Sequence, residues 1–320
     1  MYLLGFDIGG TKCAVISAIY EGENLTLCSR KEIPTDKKAG PHEMIDRLCA
    51  LADEILDRTP DAIGVSCGNP MDSKKGVILS PPNLPGWDNV EIVKILKERF
   101  GVPAYLQNDA DACAIAEWRF GAGRGTQNMI FITFGTGFGA GLILGGRLYS
   151  GTCGNAGEVG HVRLDRFGPV GYGKAGSWEG FCSGGGISQL AYIKASEMAQ
   201  CGKYPSFFKK GMSASDISAK AVADAAREGD ECAIEVWNIC GEYLGRGLSI
   251  LIDILNPERI VIGSIFTRSR DLIFDEADKV IKREVLDASY ACCEIVGASL
   301  GEQIGDYGAI TVALYGEGLI

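Results

Sequence analysis

Residues 1–6 and 13–19 are apolar, β-rich runs separated by Asp7-Ile8-Gly9-Gly10-Thr11-Lys12, and residues 129–134 and 139–144 flank Gly135-Thr136-Gly137-Phe138-Gly139-Ala140-Gly141 in the same way. Strand–turn–strand units of this kind pair as hairpins. Glycine at the turn permits unusual backbone angles and lets amide N–H groups close on an oxyanion. The recurrence at 3–17 and 130–144 predicts a duplicated unit, with two similar domains facing each other across a cleft. A dinucleotide fingerprint is excluded, because G-x-G-x-x-G leads into a helix, whereas here Leu142-Ile143-Leu144 continues as strand. The phosphate-loop pattern GxxxxGK[ST] is absent as well.

The rest of the chain alternates strand with helix. A third strand is expected at 25–33 and a helix at 44–56, where Ile45, Leu48, Leu51, Ala52 and Ile55 share a face. Strands follow at 62–66 and 104–107, with a helix at 90–100 between them and another at 109–120. Residues 151–186 read as glycine-rich loop, 187 onward as mostly helix with a long run at 231–255, and short strands at 259–263 and 293–296 precede a glycine-led helix at 305–314. Alternation of this sort is the α/β class.

Charge narrows the function further. With 31 Lys+Arg against 41 Asp+Glu the net charge is −10, and no basic run reaches five residues. Nucleic acid and anionic membrane are therefore not expected partners, and any bound anion must be held locally. Asp7 interrupts the opening apolar run, so no secretory leader is expected. The twelve cysteines mostly sit in apolar runs and form no CxxC pair. Buried free thiols in a reducing cytoplasm are the expectation.

Three further groups carry chemistry. A carboxylate at Asp7, beside a phosphate-sized turn, makes sense through a divalent cation or its waters. Asn108-Asp109 falls where a strand ends and a helix begins. Asp109 either caps that helix or takes the proton from a substrate hydroxyl, a role worth about 10²–10⁴-fold. Gly157-Glu158-Val159-Gly160-His161, with Glu179 downstream and Asn83 in a proline-rich loop, offers polar groups suited to a vicinal diol rather than to a metal. For Asn83 and Glu179, loop capping is the competing reading.

In order along the chain, Asp7-Ile8-Gly9-Gly10-Thr11-Lys12, Pro82-Asn83-Leu84-Pro85-Gly86-Trp87, Asn108-Asp109-Ala110-Asp111-Ala112, the 135–141 turn and Gly157-Glu158-Val159-Gly160-His161 resemble the ROK family of bacterial sugar kinases and repressors. The resemblance implies an actin-like ATPase (ribonuclease H-like) fold with two domains around a central cleft. Residues 1–109 plus 305–320 would form the small domain, closed by the last helix, and 110–304 the large one. ATP with Mg²⁺ would lie on Asp7, Gly9, Gly10, Thr11 and Lys12 from one turn, Thr136 and Gly137 from the other, with Gly263 at the adenosine. Asp109 matches the family's catalytic base. Asn83, Asn108, Glu158, His161 and Glu179, together with Asp109, match its sugar ligands. A cytoplasmic homodimer is implied, and the repressors' N-terminal DNA-binding segment is not expected.

One departure stands out. The family's C-x-C-G-x-x-G-C-x-E run, which holds a structural zinc, is here Val170-Gly171-Tyr172-Gly173-Lys174-Ala175-Gly176-Ser177-Trp178-Glu179. Val170, Tyr172 and Ser177 replace the three cysteines, so no zinc is expected. Packing by Phe167, Tyr172 and Trp178 is expected to order the loop instead. The resulting expectation is phosphoryl transfer from ATP to a hexose hydroxyl, with the 6-OH of glucose as first choice. An N-acylhexosamine kinase is the alternative, and a non-catalytic sugar-responsive protein or a chaperone-like or cytoskeletal ATPase are rivals.

Overall fold

The computed structural model describes residues 1–320. Along the chain run β1 (Tyr2–Ile8), β2 (Lys12–Glu21), β3 (Asn24–Pro34), α1 (Pro41–Ile55), β4 (Ala62–Cys67), β5 (Met71–Asp72), β6 (Val77–Ile78), α2 (Ile92–Phe100), β7 (Ala104–Asn108) and α3 (Asp109–Phe120). Then come β8 (Met129–Phe134), β9 (Phe138–Ile143), β10 (Val170–Gly171), β11 (Lys174–Ala175), α4 (Trp178–Phe181), α5 (Gly184–Gln200), α6 (Ala219–Arg227) and α7 (Glu231–Leu255). β12 (Arg259–Ile262), α8 (Ile265–Glu284), α9 (Asp287–Cys292), β13 (Glu294–Gly297) and α10 (Ile304–Gly316) complete it.

Two compact units result. The first gathers residues 1–125, 141–156 and 299–320, and the second 126–140 and 157–298. Helix α3, assigned from sequence to the large domain, packs within the first unit, where Thr311 on α10 donates to the Ala112 carbonyl at 3.4 Å.

The first unit is built on a five-stranded sheet in the order β3-β2-β1-β4-β7. β1, β2 and β3 are antiparallel neighbours, whereas β4 and β7 run parallel to β1. Both sheet faces are covered, so β1 and β4 read as near-continuous apolar runs. On one face lies α1, with Pro41 at its first turn. Met44, Ile45, Leu48, Cys49, Ala52 and Ile55 are its buried residues, Leu51 being only half-buried. On the other face α10 presses onto β4 so closely that a Cβ on Gly64 would lie 2.0 Å from the Ala309 carbonyl oxygen. No other residue fits there.

The four-stranded sheet has the order β13-β12-β8-β9, with β12 parallel to both β8 and β13. Each sheet thus contains two sequential strands joined through a glycine turn and lying side by side, as the internal echo predicted. Helix α7 occupies the run expected at 231–255. Its Gly247 leaves room for Trp178, whose ring carbons would fall 2.2–2.5 Å from an added Cβ. No helix is long and apolar enough to cross a membrane, and none of the twelve cysteines is disulfide-bonded.

Candidate active site

Register in the first sheet decides where the acidic residues go. Asp7 pairs with Ser66, Ile8 with Cys67, and Cys67 with Asn108. Asp7 and Asn108-Asp109 therefore stand at the carboxyl ends of parallel strands, the edge at which open α/β sheets bind ligands.

The N-cap of α3 is Asn108, not Asp109. Its Oδ1 accepts from the amides of Ala110 at 2.9 Å and Asp111 at 3.4 Å. Asp109 is the first helical residue, and its Oδ1 accepts from the Ala110 amide at 2.8 Å. Sequence reading weighed capping against catalysis at one position; the structure gives the cap to the neighbour.

Between β1 and β2 the turn is closed by Gly9 N donating to the Lys12 carbonyl at 3.1 Å, and Thr35 Oγ1 donates to the Gly9 carbonyl at 2.6 Å. A Cβ at Gly10 would lie 2.5 Å from Asn83 Cβ, so the 82–87 loop sits directly against this turn. Lys12 extends along β3, its Nζ 3.1 Å from Glu32, and Thr11 is exposed.

Asp7 meets groups that sequence reading did not single out. A Cβ at Gly305 would approach Asp7 Oδ2 to 2.9 Å, so a side chain there would displace that carboxylate. Asp306, next along α10, takes both carboxylate oxygens to Arg30 Nε at 2.9 Å. Burial, then the neighbouring charges of Asp109 and Asp306, push the Asp7 carboxyl from its ordinary 3.8 up to about 6, against the pull of Arg30 and Lys12. A carboxyl raised on folding stabilises the native state least where it is charged, so its contribution is intact below pH 3.8 and lost as pH rises through 6. That displacement corresponds to about 3 kcal/mol. Asp7→Asn is therefore expected to raise the melting temperature by several degrees at pH 7.5 and to leave it nearly unchanged at pH 4, read by calorimetry at both values.

In the second unit the turn after β8 is closed by Gly135 N donating to the Gly137 carbonyl at 3.0 Å, and Gly184 N donates to the Gly135 carbonyl at 2.8 Å. Gly135 and Thr136 open onto a cavity of about 680 Å³, whose walls include Gly184, Ser218, Lys220, Ser264 and Arg268. Gly263, expected at the adenosine, packs against Phe131, while Ser264 after it lines the cavity wall. The α6 wall was illegible in sequence, since Ser218, Lys220, Asp224 and Arg227 look like any solvated helix face.

Glu179 lies in the first turn of α4, capped by Ser177, and its Oε2 accepts from the Phe138 amide at 3.1 Å. It also closes on Gly137, where a Cβ would lie 3.2 Å from the same oxygen. Glu158 precedes a short 3₁₀ turn, Val159–His161, and its carbonyl accepts from the His161 amide at 3.2 Å. Phe167, expected to pack, is 74% exposed, whereas Trp178 is buried with its ring 4.8 Å from that of Phe138.

Residues 3–315 match the sequence model of the ROK family. Glucokinase of Streptomyces coelicolor is 29% identical over 97% of this chain and 96% of that protein. Xylose repressor of Caldicellulosiruptor bescii is 26% identical over 98% of this chain and 78% of the repressor. The ROK family glucokinase from Streptomyces griseus, solved in complex with glucose and AMPPNP, superposes with a TM-score of 0.78 at 29% identity, over 98% of this chain and all (100%) of that one. The α/β, actin-like ATPase fold expected from sequence is the fold of this chain.

Proposed function

The chain belongs to the ROK family, and from that premise we propose that it transfers the γ-phosphoryl group of ATP to a hexose hydroxyl, the 6-OH of glucose, with Asp109 as general base. The observation that carries this reading is the register of β1, β4 and β7, which sets Asp7 and Asn108-Asp109 along one strand edge. Asn83 adds weight, since its loop rests on the Gly10 turn.

Little covalent work falls to a protein in phosphoryl transfer, where positioning and charge stabilisation dominate. In the first unit Asn83, Asn108 and Asp109 orient the sugar, and Asp109 accepts the proton from the attacking hydroxyl. The turn at Gly9, Gly10, Thr11 and Lys12 offers backbone amides to phosphate oxygens. In the second unit Thr136 and Gly137 do the same, and the cavity beside them falls within the 300–1,000 Å³ typical of small-molecule sites. It takes the adenosine. Glu158, His161 and Glu179 supply further hydroxyl ligands.

Mg²⁺ would enter with the nucleotide rather than in a protein cage, since no three acidic or metal-ligating side chains stand together to hold it. The Asp7 carboxyl is crowded by Asp109 and Asp306, so Asp7 would hold the cation through its waters. When bound, the ion offsets charge on the β- and γ-phosphates.

The test is an ADP-release screen over hexoses and N-acylhexosamines. ATP turnover is expected to depend on added sugar and to be fastest with glucose. If no sugar raises it above background, the kinase reading fails and the likeness to xylose repressor favours a sugar-responsive protein without catalysis.

A further inference from the structure

The segment 162–182 departs from the family at the three positions where cysteines are expected: Val170 and Tyr172 there are exposed and Ser177 is buried. Val170 turns its side chain toward solvent, while its backbone is read from both sides by one residue of α5. Gln189 Oε1 accepts from the Val170 amide, and Nε2 donates to the Val170 carbonyl, both at 2.9 Å. Ser177 is fully buried; its Oγ accepts from Gly180 N at 3.1 Å and donates to the Gly171 carbonyl at 3.4 Å. Tyr172 presents its ring to His161, edge-on with centroids 5.1 Å apart. No group of three His, Cys, Asp or Glu side chains stands together to hold a metal ion. These residues do not fit a zinc site.

We propose that Gln189 is a positioning residue which, by pairing with both backbone groups of Val170, orders the 162–182 segment without metal and so fixes Glu179 and His161. Two hydrogen bonds between a carboxamide and the N–H and C=O of one residue reproduce the pairing of a strand neighbour, so Gln189 acts as a third strand for the β10–β11 hairpin. The hairpin in turn presses on α4. A Cβ at Gly171 would lie 2.6 Å from Gly180 N and 2.8 Å from Glu179 Cβ, which leaves no slack between them. Glu179 then reaches the Phe138 amide across that fixed base. On the other side Lys174 Nζ donates to the His161 carbonyl at 2.7 Å, so movement of β11 moves the histidine. A second tether holds the outer arm of the segment. Tyr243 OH donates to Asp165 Oδ2 at 2.5 Å, and its ring stacks on Phe181 at 3.4 Å.

The consequence for sugar binding rests on the kinase reading given above, whereas the clamp does not. Three measurements separate the two. Elemental analysis of protein dialysed after growth with added zinc is expected to give less than about 0.1 zinc per chain, and EDTA is expected to leave the melting temperature unchanged. One retained zinc per chain, or a fall in melting temperature on chelation, overturns the proposal. In amide hydrogen exchange, Gln189→Ala is expected to speed exchange across 169–176 about tenfold while α7 stays protected. Gln189→Glu keeps the acceptor but loses the donor and should fall between the two. Exchange in that segment unchanged in Gln189→Ala overturns the clamp. Where sugar-dependent turnover is present, Gln189→Ala is expected to raise the sugar KM about three- to tenfold with the ATP KM within twofold. Equal rises in both overturn the positioning role. Absence of turnover in the unmodified protein counts against the kinase reading alone, with metal content and exchange still deciding the clamp.

Discussion

Replacing Asp109 with alanine is expected to lower kcat by at least about 10² while sugar affinity stays within a few-fold. Asn108 performs the N-cap, with its Oδ1 on the amides of Ala110 and Asp111. Removal of the Asp109 carboxylate therefore leaves the α3 N-terminus capped, and the variant should fold. What is lost is a carboxylate at the strand edge shared with Asp7, the group proposed above as the base. Steady-state kinetics with glucose and ATP, paired with calorimetric sugar binding, separates the two effects. Near-normal turnover would remove Asp109 from the role. A large loss of binding with kcat intact would make it a sugar ligand only.

Glu117→Ala is expected to destabilise the first unit by about 3–5 kcal/mol, the largest structural effect foreseen. Glu117 lies on α3 with no exposed surface. Its Oε1 accepts from the amides of Ser299 at 3.0 Å and Leu300 at 2.9 Å, and its Oε2 from that of Ala122 at 2.7 Å. One carboxylate thus satisfies both the end of α3 and the segment leading into α10. Alanine strands those amides, and the charge-assisted bonds go with it. The urea midpoint should fall with the slope unchanged, whereas a shift of under about 1 kcal/mol would show that water replaces the carboxylate.

Much of this fold was legible because its signals are local. The runs around both glycine turns alternate or saturate with apolar residues, and the long 231–255 pattern announces a helix that matches it end for end. Asn108 and Asp109 could be assigned to a strand–helix junction for the same reason. Capping is a question of φ and ψ at one residue, so sequence offered the cap at Asp109 where the structure gives it to Asn108. The hairpins β5–β6 and β10–β11 have two-residue strands with no period to detect. β10 depends on Gln189, nineteen residues away. Asp306 and Arg30 are 276 residues apart, and nothing local marks either as a neighbour of Asp7. Gly305 was visible as the start of a glycine-led helix, but its reason, contact with Asp7, lies at the opposite end of the chain.

The fate of the γ-phosphoryl group tests the central claim most directly. Phosphorus NMR of the unmodified protein with ATP, Mg²⁺ and glucose is predicted to show that group arriving on a sugar oxygen as a phosphomonoester, and only when sugar is present. ATP left intact, or inorganic phosphate released at the same rate with and without sugar, would contradict it.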